Sequence, residues 1–397
     1  MSHSRLHAEQ AAVLQLVPNL EPGEPGRSAL DLARALRACG WRALVASAGG
    51  PLQRELAAGG ATHLPLPVDA PGRFARWRNA GRLSRAVREH RVELIHAHAP
   101  RPAGLGAEAA RAAAIPLVAT VYEAEAGKSP ADRRDLRTML AAQRVIAVSE
   151  HVAERLVAEH GVAPERVRVV PLGFDPVEFD PERVRGHRVL ALAERWGIAP
   201  GLKVVLAPMP HPDDRGHLLL LKALAILPRI DCVAVLAGTI AEGSAYAASL
   251  MTAIRKAGLG ERVRFAGAIA DPAAALSLAD IVALPATRPV ASGLVAAMAQ
   301  AMGKPVIVAN QGALAECVMP AATGWLVPPN DPVELARALE LALAMDEDSR
   351  RRLAGRARQF VCGEFSLEAV SARTMAVYRE LIGAQAKFGS ARRLPLA

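Results

Sequence analysis

The chain has 397 residues, a length that usually corresponds to two domains. Hydrophobic residues make up 51% of it and charged residues 22%, a balance that predicts a large core and excludes a disordered chain. No apolar run approaches the roughly 20 residues that a membrane-spanning helix needs, and residues 1–10 lack the apolar stretch of a secretory signal. We therefore expect a cytoplasmic protein.

The net charge of +9 favours anionic partners such as nucleotide sugars or acidic lipids. A composition rich in Ala and Arg would by itself also account for this charge. The sequence has no nucleic-acid-binding motif and no run of interleaved aromatic and basic residues, so nucleic acid is not an expected partner. The four cysteines lie far apart without a C-x-x-C pair, which predicts neither a zinc site nor a disulfide framework.

Short β-type runs alternate with helical segments along the first half of the chain, the pattern of parallel βαβ units. The predicted strands are 13–18, 42–47, 94–99, 117–122, 144–149 and 167–171. A helix is predicted over 28–39, with Ser28 as a possible N-cap and Gly40 as its C-terminal stop.

The second half repeats this pattern, and its predicted strands are 203–208, 232–238, 262–267, 280–285, 305–310 and 324–328. The segment 171–184, rich in Pro and acidic residues, is the predicted linker, and a helix over 367–382 ends the pattern. Two doubly wound α/β domains of this kind bind ligands at the carboxyl ends of their strands.

Two histidines and one basic segment could carry function or only structure. His96 and His98 alternate on a predicted strand and therefore point to the same face, with His98 nearer to the carboxyl end. Segment 73–91 combines Phe74 and Trp77 with seven arginines, so it is either a peripheral membrane contact or a solvated basic helix with one core stripe.

A loop in the second half carries four residues that could converge on a cation, namely His211, Asp213, Asp214 and His217. Such residues more commonly cap the N-terminus of the following helix. No metal site is therefore predicted.

Residues 300–338, QAMGKPVIVANQGALAECVMPAATGWLVPPNDPVELARAL, resemble family 4 of the retaining glycosyltransferases, also described as glycosyl transferases group 1. Further stretches similar to the family are 145–156, 167–181, 279–286 and the closing helix 365–381, so the resemblance spans roughly residues 11–383. It implies a GT-B fold, in which two Rossmann-like parallel-sheet domains face a cleft. The implied acceptor-side domain is 1–175 joined by a returning helix 366–383, and the implied donor domain is 185–365.

The resemblance also implies a reaction: transfer of a sugar from a nucleotide-diphosphate donor to a cell-envelope or polysaccharide acceptor, with retention and without a metal or other cofactor. Arg215 and the N–H groups around Ser292, Gly293 and Leu294 would hold the diphosphate, and Glu316 would orient the nucleotide. The residues expected on the acceptor side are Gly23, Gly26, His98 and Tyr122. No single catalytic residue is implied.

Several positions depart from the family pattern. The family's two glutamates, eight positions apart, correspond to Val290 and Met298. Its diphosphate-binding Arg and Lys correspond to Pro210 and Arg215, with Asp213 and Asp214 beside them. Glu24 stands where a second consecutive glycine is usual, and Tyr122 replaces a histidine.

These departures leave three hypotheses open. The chain is a glycosyltransferase with a differently built donor site, a non-catalytic binding protein that keeps the same shell, or a nucleotide-sugar epimerase of the same fold. Segment 300–338 fits the transferase family better than the epimerase. Binding of a nucleotide sugar separates the first two hypotheses.

Overall fold

The structure is a computed structural model that describes residues 11–70, 72–123, 130–208, 216–227 and 231–391. The chain forms two compact units. The first unit contains the described residues up to Leu172 together with those from Glu368 onwards, and the second contains Gly173–Leu367. None of the helices in these described ranges is both long enough and apolar enough to cross a membrane.

The first unit contains a seven-stranded parallel sheet in the order β3-β2-β1-β4-β5-β6-β7. Its strands are β1 Ala12–Leu16, β2 Arg42–Ser47, β3 Thr62–Pro65, β4 Leu94–Ala97, β5 Leu117–Val121, β6 Arg144–Ala147 and β7 Val167–Val169. The central strands β1, β4 and β5 are buried on both faces, as expected of a parallel sheet covered by helices. They consist of Ala, Val, Leu and Ile apart from one polar residue in each, Gln15, His96 and Thr120.

Six helices follow strands of this sheet, namely α1 Gly26–Ala38, α2 Gln53–Ala58, α3 Arg73–Glu89, α4 Pro100–Ala113, α5 Pro130–Leu140 and α6 Glu150–His160. The prediction that Ser28 caps the first helix is wrong. The helix begins two residues earlier, and the Ser28 N–H donates to Glu24 Oε2 at 3.2 Å. Gly40 is confirmed as the stop, because it adopts φ +79° directly after the C-cap Cys39.

The second unit contains a six-stranded parallel sheet in the order β10-β9-β8-β11-β12-β13. Its strands are β8 Lys203–Pro208, β9 Cys232–Ala237, β10 Val263–Gly267, β11 Ile281–Leu284, β12 Val306–Ala309 and β13 Trp325–Val327. Its helices are α7 Gly186–Arg195, α8 Gly216–Ile226, α9 Ala245–Lys256, α10 Pro272–Leu278, α11 Leu294–Ala301, α12 Gly312–Glu316, α13 Pro332–Leu343 and α14 Glu347–Phe365.

The predicted fold class, with two doubly wound parallel sheets, is confirmed. Each of the twelve predicted strands is present, and most are shorter than predicted at their carboxyl ends. The edge strand β3 was not predicted, because its sequence THLP contains no apolar run. The strand is held in the sheet by backbone pairing with β2.

The last helix, α15 Leu367–Ala391, is longer than the predicted 367–382. From Glu368 onwards it belongs to the first unit, where Met375, Val377 and Tyr378 are buried in the core beside β1, β2 and β4. The first unit is therefore built from two separate stretches of sequence.

Each sheet has one point at which the chain reverses the direction of its winding. In the first sheet this point lies between β1 and β4, and in the second it lies between β8 and β11. Ligands of open α/β sheets bind at such points, beyond the carboxyl ends of the strands. The topology therefore directs attention to the loops that follow these four strands.

Candidate active site

A chain of buried hydrogen bonds lies between β1 and β4 in the first unit. The side chain of Gln15 donates from Nε2 to the carbonyl of Ala29 at 3.0 Å, which leaves its Oε1 as an acceptor. His98 Nε2 lies 3.0 Å from this oxygen and therefore carries the ring proton. His98 Nδ1 is then the acceptor for the hydroxyl of Tyr122, at 2.8 Å.

Tyr122 connects this chain to the loop that follows β1. Its hydroxyl is within hydrogen-bonding reach of Ser28, whose N–H donates to the carboxyl of Glu24. Burial and the nearby negative charge of Glu24 raise the pKa of Tyr122 well above its usual value. Since the phenol keeps its proton and directs it to His98, its oxygen accepts from the Ser28 hydroxyl.

His96 forms a second group of buried hydrogen bonds next to that of His98. Its Nδ1 lies 2.6 Å from the Tyr378 hydroxyl, and its Nε2 lies 2.8 Å from Thr120 Oγ1. The ring centroids of His96 and His98 are 4.1 Å apart, so the prediction that both histidines share one face is confirmed. Tyr378 comes from the C-terminal helix, which thereby contributes to the support of the site.

Both histidines are neutral. Burial lowers the pKa of His98 to about 3, and burial together with the neighbouring His98 lowers the pKa of His96 well below its ordinary value. A neutral, fully hydrogen-bonded imidazole with so low a pKa is a weak proton acceptor near pH 7. These side chains are therefore suited to orienting hydroxyl groups rather than to removing protons.

Of the two glycines predicted on the acceptor side, Gly23 lies in the loop between β1 and α1, and Gly26 is the first residue of α1. Gly23 adopts φ +130°, a conformation that favours glycine. A Cβ on Gly26 would lie 2.6 Å from the carbonyl oxygen of Glu21, so no larger residue fits there without a shift of the loop. Both glycines shape the loop that carries Glu24.

In the second unit, the corresponding loop runs from the end of β11 to the start of α11. A Cβ on Gly293 would lie 2.1 Å from the Sγ of Cys317 and 2.7 Å from the carbonyl of Ala313. Gly312, at φ +56°, approaches Val290 so closely that a Cβ would lie 2.7 Å from its backbone nitrogen. These contacts hold the loop against α12.

The three predicted donor-binding residues Ser292, Gly293 and Leu294 lie at the N-terminus of α11. The N–H of Leu294 donates to the Ser292 hydroxyl at 3.2 Å, and Gly293 is the N-cap. Glu316 ends the neighbouring helix α12 and is half-buried. Ser292, Gly293 and Leu294 therefore lie in the segment that follows β11, and Glu316 lies in the segment that follows β12.

Val290 and Met298 are the residues predicted to correspond to the family's two glutamates. Both pack against the hydrophobic core of the second unit, and the backbone carbonyl of Val290 accepts the N–H of Ala313 at 3.0 Å. The two apolar residues therefore stabilise the loop, and neither offers a polar group to a ligand.

Arg215, the predicted diphosphate-binding cation, lies outside the described residues, as do Pro210, His211, Asp213 and Asp214. His217 is buried and donates from Nε2 to the carbonyl of Ala207 at 2.9 Å, which gives it a structural role. No three His, Cys, Asp or Glu residues converge as metal ligands within the described ranges.

Sequence reasoning did not select Gln15, Thr120 or Tyr378, and it noted Glu24 only as a departure from a pattern. A signal for Gln15 was present, since it is the one polar residue in the strand AVLQL. A polar residue in a strand that is buried on both faces needs a partner. No local pattern indicated Tyr378, because its partner His96 is 282 positions away.

Two family models match the chain. The model described as Glycosyltransferase Family 4 matches residues 25–178, and the model described as Glycosyl transferases group 1 matches residues 194–360. A D-inositol 3-phosphate glycosyltransferase from Catenulispora acidiphila is 32% identical over 313 residues, which cover 73% of this chain and 72% of that protein.

Solved structures share the fold. A glycosyltransferase from Rickettsia africae has a TM-score of 0.83 at 22% identity, with 94% of this chain and 99% of that chain covered. HepE from Anabaena, in complex with UDP and glucose, has a TM-score of 0.77 at 24% identity, with 94% and 100% covered. The fold is thus that of the GT-B glycosyltransferases. The chain belongs to the glycosyltransferase family that combines the family 4 and group 1 regions, and it is an enzyme of that family.

Proposed function

We propose that this enzyme transfers a sugar from a nucleotide-diphosphate donor to a cell-envelope or polysaccharide acceptor, with retention of configuration. The observation that carries the proposal is the loop between β11 and α11, which Gly293 and Gly312 hold at the switch point of the second sheet. It presents a helix N-terminus, a favourable site for phosphate groups. The Anabaena structure of the same fold contains UDP and glucose, which supports a nucleotide donor.

The donor site is proposed to lie on the second unit. The backbone N–H groups around Ser292–Leu294 and the side chain of Arg215 would neutralise the leaving diphosphate, and Glu316 would orient the nucleotide. A helix N-terminus and a guanidinium supply the charge stabilisation that a metal supplies elsewhere, so we propose that no metal is needed.

The acceptor site is proposed to lie on the first unit, lined by Gly23, Gly26, His98 and Tyr122. An acceptor hydroxyl oxygen forms a bond to the anomeric carbon of the sugar, while the bond from that carbon to the diphosphate breaks. The nucleoside diphosphate leaves with the electron pair, and its phosphate oxygen takes the proton of the hydroxyl. The low pKa of His98 supports a base other than that histidine.

Calorimetry with UDP-, GDP- and ADP-sugars tests the donor proposal. We expect one nucleotide series to bind, with an affinity that is unchanged in EDTA and falls about tenfold or more in Arg215→Gln, because charged hydrogen bonds are worth about 1.5–3 kcal/mol each. Arg255→Gln, which removes an exposed guanidinium from α9, is the matched control. Absence of nucleotide-sugar binding at millimolar concentration would favour the hypothesis of a non-catalytic binding protein.

Retention of configuration is tested separately, by NMR of the anomeric configuration of the product.

We also propose that the enzyme works at the inner face of the membrane through α3. Phe74 and Trp77 are 74% and 73% exposed and pack against each other with ring centroids 6.1 Å apart. Leu83 and Val87 on the same helix are buried, whereas Phe74 and Trp77 are exposed. The four large apolar side chains of α3 therefore do not form one stripe that faces the core. The exposed side also carries four arginines, Arg78, Arg82, Arg85 and Arg88. Aromatic rings beside cations suit an anionic lipid surface.

Sedimentation with vesicles of anionic or neutral lipids tests this second proposal. We expect binding to anionic vesicles only, weakened by salt and by Phe74→Ala combined with Trp77→Ala. Leu190→Ala removes a comparably exposed apolar side chain, 66% exposed, from the second unit and should have no effect. Equal sedimentation of the aromatic double variant and the unmodified protein would contradict a contact through α3.

A further inference from the structure

The protons of the hydrogen bonds around His96 can be assigned, because the ring and both of its partners are buried. The Tyr378 hydroxyl group lies 2.6 Å from His96 Nδ1, and the Thr120 hydroxyl group lies 2.8 Å from His96 Nε2. A neutral imidazole has one N–H donor and one acceptor nitrogen. One of the two hydroxyl groups therefore donates to the ring, and the other accepts the proton of the ring.

Tyr378 is the hydroxyl group that donates. Burial and the nearby Tyr122 raise the pKa of Tyr378 well above its ordinary value, so the phenol keeps its proton near pH 7. Among the described residues, its oxygen has one hydrogen-bond partner, His96 Nδ1. If the phenol proton pointed elsewhere it would be a buried donor without an acceptor, which is unfavourable.

Thr120 therefore accepts the ring proton. His96 carries this proton on Nε2 and donates it to Thr120 Oγ1, so it is the same tautomer as the neighbouring His98. This assignment leaves the hydroxyl proton of Thr120 rather than that of Tyr378 without a partner in the described ranges. Thr120 is 6% exposed and Tyr378 is 0% exposed, so the proton of Thr120 is the one that water can reach.

The ring and the hydroxyl group of Tyr378 make separate contacts. The ring stacks on Trp41 with centroids 6.4 Å apart, and it meets the His96 ring edge-on at 5.7 Å. The His96 ring in turn lies 4.1 Å from the His98 ring, centroid to centroid. A phenylalanine at this position would keep the ring contacts and remove only the hydrogen bond to His96.

We infer that Tyr378 is a positioning residue for the acceptor side of the enzyme, because its hydroxyl group holds His96 in the Nε2–H tautomer and so fixes the ring against which His98 packs. His98 in turn directs the hydroxyl group of Tyr122, a proposed acceptor-side residue. The inference rests on the proposed function, since the acceptor side is part of that proposal. It gives the C-terminal helix α15 a role in the site besides completing the core of the first unit.

NMR of the histidine ring nitrogens in the full-length protein tests this inference without any substrate, because their shifts report which nitrogen carries the proton. His96→Gln and His98→Gln assign the two resonance pairs. We expect His96 to be the Nε2–H tautomer alone in the unmodified protein. In Tyr378→Phe we expect both tautomers of His96 and shifted resonances of His98, since Thr120 can either accept from Nε2–H or donate to Nε2.

Two further variants are the matched controls. Thr120→Val removes the other partner of His96 and should keep the Nε2–H tautomer, because Tyr378 still donates to Nδ1. Tyr246→Phe removes the hydroxyl group of a half-buried tyrosine of the second unit and should change the resonances of neither histidine. Thermal unfolding checks that each variant is folded.

Three results would overturn the inference: the Nδ1–H tautomer of His96 in the unmodified protein, unchanged resonances of either histidine in Tyr378→Phe, or a change of tautomer in Thr120→Val. A purely structural role of the Tyr378 ring predicts the second of these results. A failure of the proposed function would appear as absent nucleotide-sugar binding, whereas a failure of this inference would leave that binding intact.

Discussion

At the scale of single residues, the site of the first unit depends on side chains that are polar, buried and fully paired. Gln15 fixes the proton of His98 on Nε2, and that tautomer in turn fixes the direction of the Tyr122 hydroxyl. Such a network orients its members because an unpaired buried polar group costs about 1–3 kcal/mol. Tyr122 and Glu24, which are both within hydrogen-bonding reach of Ser28, are thus held in one arrangement.

The burial of His98 predicts a pH dependence of stability. Its folded-state pKa of about 3 lies below its ordinary value of 6.5, so below pH 6.5 the unfolded chain takes up a proton that the folded chain does not. The free energy of unfolding of the first unit should therefore fall by about 2 kcal/mol between pH 7.5 and pH 5 on account of this residue.

Urea unfolding at a series of pH values checks this expectation. His98→Gln should remove the fall of about 2 kcal/mol, whereas His90→Gln, at the half-exposed C-cap of α3, should leave it in place. If His98→Gln shows the same dependence on pH as the unmodified protein, the burial of a neutral His98 does not contribute to stability as described.

At the scale of elements, the two switch points are built differently. Both loops need glycine at close backbone approaches, Gly26 for the first and Gly293 and Gly312 for the second. The loop between β1 and α1 is also held by a polar contact between Glu24 and Ser28. Val290 and Met298 add apolar packing to the second loop. In the donor site proposed above, these two positions therefore offer no polar side chain to a ligand.

We expect Gly293→Ala to destabilise the second unit by about 1–3 kcal/mol, because its Cβ would overlap Cys317 Sγ and the Ala313 carbonyl. Donor affinity, measured by calorimetry, should fall as the loop shifts. Cys317→Ala in the same chain should recover part of the loss, since one of the two overlapping atoms is removed.

Gly260→Ala is the matched control, because a Cβ there meets no atom within 4 Å and the residue does not need a positive φ. It should change the free energy of unfolding by less than about 1 kcal/mol. Equal stability of Gly293→Ala and Gly260→Ala would contradict the close approach of α12 to the loop.

At the scale of the whole molecule, the two units differ in how their sequence is distributed. The second unit is one continuous stretch with its own cores, whereas the first needs the C-terminal helix α15 to complete its core. The chain enters and leaves the second unit at adjacent positions, since the Leu367 N–H donates to the Phe174 carbonyl at 2.9 Å.

We expect a fragment of residues 173–367 to fold alone and residues 1–172 alone to fail. Circular dichroism should show cooperative unfolding only for the former, because the latter lacks Met375, Val377 and the buried Tyr378. Joining residues 1–172 to 368–391 through a short Gly-Ser linker should restore cooperative unfolding. A stable, cooperative fragment 1–172 would show that α15 is dispensable to the first unit.

The sequence alone determined the fold class, because strand and helix periodicity are local properties of the chain. The alternation of short apolar runs with helical segments predicted both sheets, and the motif at 300–338 predicted the family. The same local signals did not predict β3, because its pairing depends on the neighbouring strand β2. They also predicted Ser28 as an N-cap, whereas its N–H donates to the Glu24 carboxyl from within the helix.

The tertiary structure alone decided which side chains meet at the site. Gln15 and His98 are 83 positions apart and His96 and Tyr378 are 282 apart, and their contacts follow from the order of the strands in the sheet and from the placement of α15. The family resemblance implies that Glu24 stands at a position where glycine is usual. Only the fold shows that its carboxyl lies at the N-terminus of α1, because that position is defined by backbone N–H groups that no residue type reveals.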